Sequence, residues 1–82
     1  MPTVKRIGGF RVVIYPNDHR PAHVHVIGVD REAVFNLGCP NGPPVLRENY
    51  GCTGQEITTI SNALAADITA LCRVWSIIHG HR

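Results

Sequence analysis

The sequence predicts an α+β domain: a small antiparallel sheet of about four strands with one long C-terminal helix packed on one face. Three observations carry this. Residues 3–37 alternate apolar and polar side chains and are rich in β-branched and aromatic types, residues 38–52 are crowded with proline and glycine, and the residues beyond 53 repeat apolar side chains every three or four positions.

The strands come first. Thr3 to Ile7 is short and of mixed polarity, and Gly8-Gly9 after it is a two-residue hairpin signal. Phe10 to Tyr15, FRVVIY, is the clearest strand because its residues suit a pleated, half-buried surface. Pro16 and Pro21 bracket a loop, since proline has no amide to donate to a ladder. His23 to Ile27 resumes the alternation, Gly28 to Arg31 turns, and Glu32 to Leu37 reads as the next strand. Residues 38–52, with three prolines and three glycines, form a surface connection with a short helical turn near Leu46 to Tyr50.

A helix over about 54–79 follows. Thr53 and Glu56 have the spacing of a capping box, Ile57, Ile60, Leu64, Ile68, Leu71, Trp75 and Ile78 form one apolar stripe, and Gly80 is a natural stop. An unbroken helix of this length would reach about 38 Å, longer than the sheet, so Trp75, Ile77 and Ile78 are expected either to overhang and seek a partner or a second copy, or to pack against the 38–52 connection.

With period two, Phe10, Val12, Ile14, Val24, Val26, Ala33, Phe35 and Leu37 share the face that meets the helix. The opposite face, expected to be open, collects Arg11, Val13, Tyr15, His23, His25, Glu32, Val34 and Asn36. The 82 residues make a single domain, 1–82, whose thin core buries only about 60% of the unfolded surface. No apolar run is long enough to span a bilayer, and MPTVKRIGGF lacks the apolar stretch of a leader, so a cytoplasmic protein is expected. Three cysteines, with no C-x-x-C pair, argue against a disulfide framework and a zinc ribbon; Cys72 reads as a small core residue, while Cys39 and Cys52 fall near loops. The net charge is +2, and residues 1–31 hold Lys5, Arg6, Arg11, Arg20 and Arg31 against Asp18 and Asp30. That imbalance fits a phosphate-binding face or an ordinary solvated surface.

The segment NDHRPAHVHV, residues 17–26, holds His19, His23 and His25. Histidine titrates near neutrality, so His23 and His25 could serve as an acid–base pair with His19 in support. Arg11 and Arg20 would contact phosphate and Tyr15 would stack a base, the set needed to cleave RNA without a metal. No cofactor is expected on this reading. A metal site is an alternative: His-x-His places two imidazoles on one face and His19 could swing in, but no cysteine or carboxylate has a fixed spacing to complete it, and the direction of Asp18 does not follow from spacing. A purely structural role is the third reading. His79 and His81 read as a frayed end.

Tyr15 to Val26, YPNDHRPAHVHV, resembles the YxNDHxPPHFHV-like run of the small bacterial family called domain of unknown function 4160. The opening MPT-x-x-x-I-x-G-x-x-V, the strand Glu32-Ala33-Val34-Phe35-Asn36 and the late Trp75 extend the resemblance over nearly the whole chain. Ala22 stands where a second proline is usual and Val24 where phenylalanine is common, while His19, His23 and His25 match position by position. The family has no established activity. The resemblance implies a toxin–antitoxin-like context with a small protein partner and an RNA target. A non-enzymatic interaction module, using the open face and the overhanging helix, is the competing expectation.

Overall fold

Gly8, with φ 55°, makes the tight turn that pairs β1 (Thr3–Ile7) with β2 (Phe10–Val13), and Ile7 faces Phe10 across it. The computed structural model describes residues 3–80, so His81 lies outside the described residues. From this hairpin the chain continues as a meander through β3 (His23–Gly28), β4 (Arg31–Asn36) and β5 (Val45–Tyr50). The sheet has five antiparallel strands in sequence order, one more than expected.

The extra strand lies where a helical turn was predicted. Pro43 and Pro44 force the chain extended. The unpaired edge of β4 then offers Val45–Tyr50 a ladder that a lone helical turn could not match. β5 is exposed along its whole length, so burial left no apolar pattern to read.

The helical region is α1 (Gly54–Ala66) followed by α2 (Ile68–His79), broken at Asp67. The capping box at the start of α1 is present: the Glu56 amide donates to Thr53 Oγ1 at 3.1 Å and the Thr53 amide to Glu56 Oε1 at 2.9 Å. At Asp67, φ −117° and ψ 22° leave the helical region; its amide closes α1 and its carbonyl accepts from Leu71 to open α2. The Asp67 carboxylate is taken by Lys5 of β1, so it caps neither helix.

The break answers the length mismatch. α2 lies back on the sheet, Trp75 is buried at 2% exposure and Ile78 packs against the core, leaving Ile77 as the exposed residue of the expected overhang. The core is the predicted one: Val12, Ile14, Val24, Val26, Ala33, Phe35 and Leu37 meet Ile60, Leu64, Leu71 and Trp75.

Two local expectations change. Cys39 and Cys72 are joined by a disulfide that ties the 38–44 loop to α2, leaving Cys52 free and buried. Spacing in sequence could not show this, because a bridge depends on a Cα separation, here 5.7 Å across 33 residues. His79 is not frayed: its ring stacks on Trp75 at 3.8 Å and its Nδ1 bonds the Trp75 carbonyl at 3.0 Å.

Candidate functional site

The site is built on β3, where alternation sends Val24 and Val26 into the core and His23 and His25 to the other face. That face is not open. Val13 and Val34 face His25 from the strands on either side and are 0% and 5% exposed, forming an apolar floor. The Tyr15–Asp18 turn folds over it. Pro16 supplies the φ that a turn needs at its second position, the Asp18 amide donates to the Tyr15 carbonyl at 3.1 Å, and the Tyr15 amide donates to Asp18 Oδ2 at 3.3 Å. The Tyr15 ring meets His25 edge-on at 4.7 Å.

The turn delivers Asp18 to the two imidazoles. Its carboxylate lies 3.2 Å from His25 Nε2 and 3.5 Å from His23 Nε2, and ligand atoms of all three residues fall within 4.8 Å of one another. Asp18, rather than His19, is thus the third member of the cluster. The His23, Asp18 and His25 side chains are 8%, 14% and 19% exposed, so the cluster is shielded but reachable.

The outward ring nitrogens are engaged by acceptors. His23 Nδ1 donates to the Pro21 carbonyl at 2.8 Å, which requires its hydrogen to be on Nδ1. His25 stands between two carboxylates, with Nδ1 3.4 Å from Glu32 Oε2 and Nε2 3.2 Å from Asp18 Oδ2, so either ring nitrogen has an acceptor for its hydrogen. On a neutral His23 ring the Nε2 lone pair then points at the Asp18 carboxylate, an electron-rich pairing that a proton or a cation between them would relieve. Beside them, Asn36 pairs with His23 across the β3–β4 ladder, and its buried Oδ1 has no partner among the described residues.

The other predicted site residues scatter. His19 is exposed and makes no contact with the cluster among the described residues. Arg20 places its guanidinium over the Trp75 ring at 5.2 Å, on the helix side. Arg11, on β2, and Tyr15 remain on the histidine face. Sequence reasoning placed Glu32 and Asn36 on this face but gave them no role, and it left Asp18 undirected. The signal for Asp18 was Pro16 two residues earlier, which sets the turn that aims it. A groove of about 420 Å³ between the β1–β2 hairpin and the first turn of α1 contains none of these residues.

A family model for the domain of unknown function DUF4160 matches residues 9–76. The chain belongs to this family. The match spans β2 through most of α2, so the DUF4160 region holds Asp18, His23, His25, Glu32 and Asn36 together. No curated protein and no solved structure matches the chain.

Proposed function

We propose that this DUF4160 domain binds a divalent transition metal through Asp18, His23 and His25. The observation that carries the reading is the spacing of three convergent donors. Ligands at about 2.0–2.1 Å from zinc in a tetrahedron stand about 3.3 Å apart; the two carboxylate-to-imidazole separations are 3.2 and 3.5 Å, and all three ligand atoms lie within 4.8 Å of one another. Both outer ring nitrogens have the carbonyl or carboxylate partner that orients a metal-binding histidine. Three protein ligands leave a coordination position for water or substrate, as in catalytic zinc sites and in the two-histidine, one-carboxylate sites of iron enzymes. The unpartnered Asn36 Oδ1 could accept a hydrogen bond from a metal-bound water.

Metal binding also suits the local charge better than the metal-free RNA-cleaving reading. Asp18 and Glu32 surround the imidazoles with carboxylates, which repel a phosphodiester unless a cation intervenes. With a metal bound, Tyr15 would stand beside it against His25 and Arg11 would lie on the same sheet face, and a Lewis acid there could polarise a phosphoryl oxygen or activate water. RNA therefore stays within the proposal as a substrate class, and a small protein partner in a toxin–antitoxin-like pair as its setting. One contact favours the metal-free reading: Asp18 touches both imidazoles, as a carboxylate orients a catalytic histidine.

The test is titration of the untagged, chelator-treated protein with zinc and cobalt, read by calorimetry and by the rise in melting temperature. One equivalent should bind. Asp18→Asn and His25→Ala should weaken binding by more than about 100-fold, Glu32→Gln by about 10–100-fold, and His19→Ala should leave it unchanged. Absence of stoichiometric binding would sink the metal reading. RNA cleavage that persists in chelator but is lost in the His25→Ala variant would put the acid–base pair in its place.

A further inference from the structure

The edge strand β5 is exposed on every residue, yet it carries Val45, Leu46 and Tyr50 at 56%, 40% and 58% exposure. A bare edge with large apolar groups is a template for another strand. From its pairing with β4, Val45, Glu48 and Tyr50 lie on the histidine face, opposite Asn36, Val34 and Glu32, while Leu46 and Asn49 lie on the helix face, opposite Phe35 and Ala33. Arg47 is the extra residue of a bulge, which falls where the register shifts between Val34 and Phe35.

We infer that β5 pairs antiparallel with β5 of a second copy of this chain about a two-fold axis between Arg47 and Glu48, joining the two sheets into one. The axis sets Arg47 opposite Glu48 of the second copy and Glu48 opposite its Arg47, two opposite-charge pairs from one strand. It also sets Val45 against Tyr50 and Leu46 against Asn49. In a regular strand, residues an odd number of positions apart point to opposite faces, so this alignment would mismatch the side chains. The bulge removes the mismatch: Val45 and Tyr50 share one face and Leu46 and Asn49 the other. Each pair then meets on a continuous face of the joined sheet, with a β-branched residue beside an aromatic one.

The opposite edge of the sheet lacks this complementarity. β1 paired with itself about its midpoint would set Lys5 against Lys5, a like-charge pair. The occupant of the β5 edge is therefore a second copy, and the contact is small, so a concentration-dependent dimer is expected.

Sedimentation velocity over a wide concentration range tests this on the full chain. The wild type should associate to a dimer, less so at high salt. Arg47→Glu and Glu48→Arg each put like charges opposite one another twice and should weaken association by roughly tenfold or more, while the double exchange Arg47→Glu/Glu48→Arg should restore it. Both substituted residues are exposed, so circular dichroism should report an unchanged fold. A wild type that stays monomeric, single variants that dimerise like wild type, or a double variant no better than the singles would each overturn the pairing.

Discussion

At the scale of single residues, position in the chain was legible but direction was not. The alternation of β3 put His23 and His25 on one face, as read from the sequence, yet their partner came from Asp18, whose aim depends on a turn. His19 is adjacent to Asp18 in sequence and still contributes nothing to the cluster, because the turn spends its one inward direction on the aspartate. Cys52 shows the same dependence on surroundings: burial raises its thiol, the Glu56 charge adds to this and Arg31 opposes it, so the thiolate is disfavoured. Tyr50 gives a direct pH test. Its hydroxyl donates to Glu48 Oε1 at 2.7 Å; this bond first, and the carboxylate charge second, raise the phenol above its ordinary value of about 10. The raised folded-state value means that the phenol stabilises the fold below about pH 10 and that this contribution is lost as pH rises through the folded value. Glu48→Gln should bring the Tyr50 titration, followed by NMR of labelled tyrosine, back toward the ordinary range. An unmoved titration would show that the hydrogen bond does not set it.

At the scale of elements, local chemistry decided the beginnings and tertiary contacts the ends. The Thr53–Glu56 box was readable because its two bonds lie within four residues of chain. Thr53→Ala removes the acceptor for the Glu56 amide and should cost about 1 kcal/mol in urea unfolding; a loss within error would mean that water replaces the hydroxyl there. The break at Asp67 was not readable. The apolar stripe runs through it without a gap, and the interruption depends on a sheet too short for a straight helix and on Lys5 holding the carboxylate. β5 escaped for a related reason: a strand exposed on both faces has no alternation to betray it, and only the hydrogen-bonding edge of β4 recruits it.

At the scale of the molecule, the disulfide has the largest consequence that sequence spacing missed. It closes a long segment between the proline-rich loop and α2, and by chain-entropy arguments a loop of this kind contributes about 2–4 kcal/mol. Cys39→Ser should lower stability by that amount in chemical denaturation without reductant and should match wild type with reductant present. Equal stability of the two without reductant would mean that the bridge does not constrain the unfolded chain. Such a bridge persists in an oxidising compartment and is opened by reductant. No helix among the described residues is long and apolar enough to cross a membrane.

The sequence by itself determined the α+β class, the residues of the core, the helix start and the face on which the histidines stand, because each follows from a period or a spacing within a few residues. Only the tertiary structure decided which carboxylate meets the imidazoles, where the helix breaks, that a fifth strand completes the sheet and which cysteines join. Each of these depends on groups distant in sequence coming within a few ångströms, and a linear pattern does not encode that distance.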